Sequence, residues 1–568
     1  MSVIVFYILT YCVSTTATSY HSVQPPLFSH LIEPVTTDNI LSPFSDAAVT
    51  GLSWEAADSL NMLREELLEA GYTMRGVSTV LRSIFFPTNE TALFKNYRRQ
   101  VPALNSLDTL LYTPPHMLRD IYLNGDKEGC NKRINDLSSR LELLVQLFYL
   151  GEWVLTSKLE QLDNFLSKKS LKALNGLGLF FHHHVDEEPV VRMKIMLHPL
   201  APAGSVLSPL LLATDHFWFG APVGFDKKKF DPVMYLGIDS YGLVGAAPRP
   251  AKGAKILDTC TGSGVQGIAA AAYCAISGGG CDILLNDVNP RAIKFARFNL
   301  VTNLQALPGL NFPAKNIKSV NARNVSGRTS IGVWLQESVW HGGISALTTA
   351  ATLSIAVENK GDGEEWKQKA AAEREWKEAM ALPLRFHEGF DLILANPPYL
   401  PDPQRSCELF GGGGDLGDAV LLEIVRAASS SLLKKDKSAT LAMVGNVANL
   451  ETVSARLKQA WFYKDSQQAI RVLHAHGLVL NVEEYAAIRN HEDAVHLGQT
   501  METTAMMYQK SGMVDISLHS FVYLRHGEGK EDWKYDVLDL GGALWDRAAG
   551  GHGITMQNIA RTSIFQHL

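Results

Sequence analysis

Thr259-Cys260-Thr261-Gly262-Ser263-Gly264-Val265-Gln266-Gly267 is the stretch on which the fold turns. It follows a short apolar run, Lys255 to Asp258, that reads as a strand, and it precedes an Ala-rich run, Ile268 to Ala275, that reads as a helix. Glycine is needed in such a turn because only a residue without Cβ lets the backbone turn tightly and approach a ligand without a clash. Strand, Gly-rich turn and helix in this order are the signature of a doubly wound sheet. Taken alone, the loop leaves three readings open: a methyl-donor site, a dinucleotide site that would use Gly262, Gly264 and Gly267, or a tight turn that binds nothing.

The flanking sequence narrows these readings. Cys281 to Leu285 reads as the next strand and ends in Asn286-Asp287. An acidic residue at a strand end, about 20 residues past the loop, can accept hydrogen bonds from both hydroxyls of a ribose. Asp287 is equally suited to cap the helix that Pro290 opens. Much further along, Phe390 to Ala395 reads as a strand ending in Asn396-Pro397-Pro398-Tyr399. Two prolines fix the backbone there and remove two donors, so the Pro397 carbonyl is free to accept a hydrogen bond. Asn396 supplies a second acceptor oxygen, and Tyr399 a flat face on which a planar group can stack. A rigid turn would use the same residues; it is the order of all three elements that favours a site.

These elements, Lys255 to Ala270, Asn286 to Asn299 and Phe390 to Asp418, resemble the class I methyltransferases with a small-methyltransferase domain. The similarity is to the subgroup with an Asn-Pro-Pro-Tyr motif. That subgroup includes the HemK-type protein-glutamine N5-methyltransferases, the guanine-N2 ribosomal RNA enzymes and the adenine-N6 enzymes. The resemblance implies an α/β fold built on a Rossmann-like, doubly wound, seven-stranded sheet. It implies S-adenosyl-L-methionine as cofactor. Asp258, Thr261, Gly262, Ser263 and Gly264 match the part that meets the methionine end, and Asp287 matches the ribose-binding acid. Asn396, Pro397, Pro398 and Tyr399 match the motif that holds the target nitrogen. Glu408 and the run Gly411 to Gly417 are similar to the stretch just after that motif in HemK-type proteins, which points to a protein glutamine as acceptor. The alternative is an amino group on an RNA or DNA base, adenine N6 or guanine N2. The chain departs from the pattern in three places. Cys260 stands where the first loop glycine is usual. Asp239 and Ser240 occupy the place of an Arg-Pro-x-Thr segment. No acidic motif marks a third strand near Val320 to Val325.

The whole chain has 568 residues, with 46% hydrophobic and 19% charged residues and a net charge of -6. That is too long for one ordinary domain, and no basic excess advertises a nucleic-acid partner. Residues 1–20 read as a targeting segment, since Val3 to Val13 is apolar and Ser14 to Ser19 is small and polar; an ordinary buried strand is the other reading. Residues 21–50 read as a linker. Residues 51–190 read as a helical N-terminal domain, with Leu60, Leu63, Leu67 and Leu68 forming one stripe and Leu137, Leu141, Leu144 and Phe148 another. Residues 191–250 read as short strands and loops, and 251–568 as the methyltransferase domain with an insertion at about 325–387. The six cysteines show no metal-ligand spacing, which points to a reducing compartment without structural disulfides. Cys260 and Cys407 read as small loop or core residues rather than nucleophiles.

Phe180 to Glu188, with His182, His183 and His184, reads as a solvated loop and not a metal site. Asp215-His216 and His552 lack the partners of a hydrolase triad, and Lys227 to Lys229 reads as a solvated turn. The expected partners are a protein substrate, such as a translation factor or ribosomal protein, or RNA. No metal and no stable membrane association are expected, and the location is intracellular, in cytoplasm or an organelle. Two further classes compete: a dinucleotide oxidoreductase, which leaves Asn396 to Tyr399 unexplained, and a non-catalytic cofactor-binding scaffold, against which the intact motif residues weigh.

Overall fold

A computed structural model describes residues 54–85, 128–162, 165–185, 187–201, 209–216, 233–277, 279–307, 331–337, 386–403, 412–436, 438–462, 469–476, 479–487, 489, 500–526 and 533–539. The targeting and linker readings of residues 1–50 lie outside these, as do Val320 to Val325, Lys227 to Lys229, Cys407, Glu408, Gly411 and His552.

The N-terminal part is helical, as its apolar stripes require. Helix α1 spans Trp54–Glu69 and α2 spans Met74–Phe85. Gly71 separates them, at φ +84°, a left-handed conformation that suits a residue without Cβ. Leu60, Leu63 and Leu67 are buried on the inner face of α1. Helix α3, Arg140–Phe148, opens with a capping box between Ser139 and Glu142 and buries Leu144 and Phe148. Short α4 (Thr156–Glu160) and α5 (Lys168–Gly176) complete the layer. A small antiparallel sheet lies beside the helices, with β1 (Val154–Leu155), β2 (Phe180–Val185) and β3 (Glu188–Met193) in the order β1-β3-β2. The histidine run is therefore a strand, not a loop. His182 and His184 are exposed, with His182 lying 6.0 Å from the Phe180 ring, whereas His183 is half-buried and faces the Trp153 ring at 5.9 Å, so the strand period of two sends neighbouring imidazoles to opposite faces. The hairpin of β4 (Ile195–Leu200) and β5 (Leu210–Asp215) is buried along its whole length.

After helix α6 (Ile238–Ala246) the chain enters its large sheet. The strands are β6 (Ala254–Thr259), β7 (Cys281–Asp287), β8 (Ile331–Glu337), β9 (Leu392–Ala395), β10 (Thr440–Ala448), β11 (Ile470–His476), β12 (Val479–Asn481), β13 (Asp515–His526) and β14 (Trp533–Asp539). Helices α7 (Val265–Ser277) and α8 (Pro290–Thr302) follow β6 and β7. Helix α9 (Ala419–Ala427) precedes β10, and α10 (Leu450–Trp461) follows it. The order across the nine-stranded sheet is β14-β11-β13-β10-β9-β6-β7-β8, with β12 paired to β13. Strands β8, β7, β6, β9 and β10 run parallel, whereas β13 is antiparallel to β10 and to β11. Numbered from β6, the first seven main strands therefore read 3-2-1-4-5-7-6 with the last reversed. This is the Rossmann-like methyltransferase sheet, extended at one edge by β14.

Both faces of this sheet are covered, which is why its strands are continuous apolar runs. Ile256, Ile283, Leu394 and Val444 join one core, and Leu257, Leu284, Ile393 and Met443 join the other. Each such side chain contributes about 1.5–3 kcal/mol of burial free energy.

Two sequence expectations change here. Cys274 and Cys281 are joined as a disulfide, because the last turns of α7 bring Cys274 back over the start of β7 with the Cα atoms 6.1 Å apart; the expectation of no structural disulfide fails at this pair. The third parallel strand is Ile331–Glu337, inside the stretch read as an insertion from about 325. No helix among the described residues is long and apolar enough to cross a membrane.

Candidate active site

From β6 the sheet grows toward β7 on one side and, through the later strands, toward β9 on the other. Such a reversal leaves a crevice outside the carboxyl ends of the strands, where open α/β sheets bind ligands. The register brings the three motifs to this rim: Thr259 pairs with Asn286 on β7 and with Ala395 on β9. Asp287 and Asn396 are the next residues along their strands, so elements separated by more than a hundred residues in sequence flank one loop.

The first half of the crevice is built from the loop itself. Cys260 (φ +54°), Gly262 (φ +53°) and Gly264 (φ +83°) are all left-handed, which folds the backbone into a tight crest. Cys260 adopts this conformation despite its Cβ. Asp258 is fully buried beneath the crest. One of its oxygens, Oδ2, accepts from Thr261 Oγ1 at 2.6 Å and from the Gly267 N–H at 2.8 Å. The other, Oδ1, is buried and has no partner among the described residues. Burial pushes this carboxyl up to about 7, the charge of Asp287 adds to the rise, and the two hydrogen bonds oppose it. Asp287 Oδ2 accepts from the Gly262 N–H at 2.7 Å and Oδ1 from the Asn289 N–H at 2.9 Å. Burial raises its pKa too, against those N–H bonds. The Cys260 thiol is pushed upward by burial and by Asp287 and Asp258, so it is a neutral thiol rather than a thiolate nucleophile.

Two glycines explain the shape. A Cβ on Gly267 would stand 2.1 Å from Leu285 Cδ2, so its absence lets α7 press against β7. A Cβ on Gly262 would meet nothing within 4 Å, so the crest is open above it. Ser263 and Thr261 are buried, and the Ser263 carbonyl accepts from Asn299 Nδ2 at 2.8 Å.

The second half is built from β9 and from outside the sheet. Pro397 is buried, Pro398 half-buried, and Tyr399 is 9% exposed. The glycine run beyond the motif folds back on it: Gly413 N–H donates to the Leu400 carbonyl, and Asp402 N–H to the Gly414 carbonyl, both at 2.8 Å. A Cβ on Gly417 (φ +83°) would come 2.4 Å from the Tyr399 carbonyl, which is why glycine is needed there. Asn396 Nδ2 donates to Asp239 Oδ2 at 2.7 Å and to Ser240 Oγ at 3.1 Å. A carboxylate is acceptor-only, so this pairing fixes which way the amide points. Asn396 Oδ1 is then left buried with no partner among the described residues. The Tyr399 hydroxyl bonds the same Asp239; burial chiefly, and this carboxylate next, raise its pKa well above the phenol range. Helix α6, which carries Asp239 and Ser240, is tied to α7 by Gln266 Nε2 donating to the Ser240 carbonyl at 3.0 Å.

All ten residues singled out in the sequence thus lie at or just beyond the carboxyl ends of β6, β7 and β9, whose ends pair in register. The sequence alone did not reveal that Asp239 and Ser240 orient Asn396; their place ahead of the glycine loop was the available signal. It also missed Asn299 and the true third strand, whose last residue, Glu337, pairs in register with Asp287. Asp215, discounted for a triad, has a structural role. It takes Arg291 Nε at 2.6 Å, a second Arg291 nitrogen, and the Val233 N–H at 2.8 Å. Among the described residues no group of three or more His, Cys, Asp or Glu is arranged to hold a metal.

No family model and no curated protein matches the chain. Several solved structures are similar to it. One is a putative class I S-adenosylmethionine-dependent methyltransferase from Listeria monocytogenes, at 9% identity and TM-score 0.27, covering 88% of this chain and 97% of that one. Another is the type I restriction-modification methyltransferase subunit from Streptococcus thermophilus, at 14% identity and TM-score 0.26, covering 87% of each. A third is coclaurine N-methyltransferase bound to N-methylheliamine and SAH, at 10% identity and TM-score 0.20, covering 48% of this chain and 66% of that one.

Proposed function

We propose that this protein is an S-adenosyl-L-methionine-dependent N-methyltransferase that modifies a planar, NH2-bearing group. The observation that carries the reading is the Asn396 amide: its nitrogen is committed to Asp239 and Ser240, and its buried oxygen faces no partner among the described residues. A buried acceptor without a donor is costly, by about 1–3 kcal/mol, so the crevice favours a ligand that brings an N–H.

The residues of the first half fit the cofactor. Asp287 accepts the Gly262 and Asn289 N–H groups, one on each oxygen, and a carboxylate offers about four lone-pair sites, so it has capacity left for a ribose hydroxyl. Asp258 Oδ1 is a buried acceptor suited to a cationic end, and the crest at Gly262 admits close approach. Thr261, Ser263 and Gly264 hold the loop to that shape. When bound, the cofactor supplies a methyl group activated on a sulfonium. Everything else is positioning, which can lower a barrier by about 7–11 kcal/mol. Asn396 Oδ1 and the Pro397 carbonyl accept the two N–H groups of the acceptor, which turns its lone pair out of conjugation. Tyr399, held by Asp239, supplies the flat wall, and Pro398 stiffens the turn between them. Residues this well buried also keep water from the aligned atoms.

The acceptor we favour is a glutamine side chain of a protein such as a translation factor or ribosomal protein. An amino group of an RNA or DNA base is the second reading, and it would require the base to be extruded. The test is to incubate the purified protein with methyl-labelled cofactor and whole-cell extract and to divide the product by protease and nuclease sensitivity. Label lost to protease supports the first reading and label lost to nuclease the second. No transfer to either fraction defeats both.

A further inference from the structure

Strand β5 is paired with β4 along one edge only; its other edge meets helix α8, and the meeting is made by side chains that imitate a strand. Asn299 Oδ1 accepts from the Ala213 N–H at 2.6 Å, and Asn299 Nδ2 donates back to the Ala213 carbonyl at 2.9 Å. One helical turn on, Asn303 Oδ1 accepts from the Leu211 N–H at 2.9 Å and Asn303 Nδ2 donates to the Leu211 carbonyl at 2.7 Å. The spacing works because four helical residues rise about 6 Å and two strand residues about 6.6 Å. Arg291 closes the same edge on Asp215. Both asparagines are fully buried.

The two amides differ in one hydrogen. The second N–H of Asn303 returns to its own helix, at the Asn299 carbonyl, 2.7 Å away. That of Asn299 donates to the Ser263 carbonyl at 2.8 Å, between the left-handed Gly262 and Gly264 at the crest of the cofactor loop. Beyond β5, the hairpin carries the N-terminal helices: Tyr72 Oη donates to the Leu197 carbonyl and Arg64 Nη2 to the Pro209 carbonyl, both at 2.8 Å.

We propose that Asn299 is a positioning residue for the cofactor loop, and that through its amide the seating of the β4–β5 hairpin on α8 sets cofactor affinity. This rests on the reading of the loop as a cofactor site. A planar amide cannot rotate to follow the strand without withdrawing its hydrogen from Ser263, so hairpin and crest move as one. A cofactor that needs the crest in this shape binds better when the hairpin is seated, and by reciprocity it tightens the N-terminal helices on the sheet.

The experiment compares the full-length protein with Asn299→Ala and Asn303→Ala, which remove the same two bonds to β5. Binding of S-adenosylhomocysteine is measured by calorimetry and melting by scanning fluorimetry. Both variants should lower the melting temperature, but Asn299→Ala, which alone also frees the Ser263 carbonyl, should weaken S-adenosylhomocysteine by about tenfold, the worth of one hydrogen bond in a rigid site, and Asn303→Ala by clearly less. If Asn299→Ala does not fold, Asn299→Asp serves. It keeps the acceptor toward Ala213 and sets a carboxylate against the Ser263 carbonyl, and it should weaken binding at least as much. Equal affinities for the two asparagine sites overturn the inference while leaving the cofactor reading intact. A wild-type protein that melts normally and binds no S-adenosylhomocysteine overturns the cofactor reading and the inference together.

Discussion

The two halves of the crevice are made in opposite ways. The half we assign to the cofactor, Asp258 to Asp287, is built mostly from its own stretch of chain: backbone N–H groups and a hydroxyl hold both oxygens of Asp287 and one oxygen of Asp258. The acceptor half, Asn396 to Tyr399, is oriented by Asp239 and Ser240, which lie 157 and 156 residues earlier. A half assembled locally takes shape as its strands pair, with Asn299 holding its crest from α8. A half assembled across the fold depends on where α6 sits, and it is the natural place for substrate selection to be tuned.

The largest effect should come from the acceptor half. Asn396→Ala removes the oriented oxygen while leaving the loop on β6 untouched. Methyl transfer should fall about 10²–10³-fold, as when one well-placed transition-state hydrogen bond is deleted, with S-adenosylhomocysteine affinity unchanged in calorimetry. Retained turnover would break the division between the halves. In the cofactor half, Asp287→Ala should act on binding instead. Losing charge-assisted bonds worth about 2 kcal/mol weakens the cofactor roughly thirtyfold, and labelled transfer at saturating cofactor should recover. Failure to recover would mean that Asp287 shapes the acceptor half as well.

This contrast also sets what was legible in the sequence. The strand–loop–helix order and the three motifs were readable because glycine, proline and acidic residues at strand ends have local causes, and the seven-stranded sheet was expected from the resemblance they carry. Asp239 was marked only by its place ahead of the loop, and Asn299 not at all, since nothing local distinguishes an asparagine that caps or faces solvent from one that mimics a strand edge. The histidine strand was misread because three adjacent imidazoles carry no alternation of polarity, although the backbone alternates. The disulfide was missed because Cys274 and Cys281 approach only through the turn between α7 and β7.

A smaller effect should sharpen the role of α6. Asp239→Ala frees the Asn396 amide to flip and releases the Tyr399 hydroxyl, so the turnover number should fall about tenfold, the scale of one net hydrogen bond. The affinity for S-adenosylhomocysteine should hold. Asp239→Asn keeps an acceptor oxygen and should restore part of the rate. Equal losses in both variants would assign Asp239 a charge role rather than an orienting one.

The smallest effect distinguishes the halves by pH. Asp258 is raised from 3.8 to about 7 in the free protein, chiefly by burial. A carboxyl raised on folding favours the native state at low pH, and that advantage is lost as pH rises from about 4 to about 7. A cationic ligand beside Oδ1 reverses the effect of burial by stabilising the charged form, so binding expels a proton whenever the site is still protonated. Cofactor affinity should therefore rise with pH up to about 7, by less than tenfold per unit, and level off above it. Asp258→Asn should flatten the profile, since the amide keeps the size and loses the titration. A flat wild-type profile, measured from about pH 5.5 to about 8.5 so as to span that titration, would mean that no positive end of the ligand lies against Asp258, and the cofactor half would then be held by Asp287 and the loop alone.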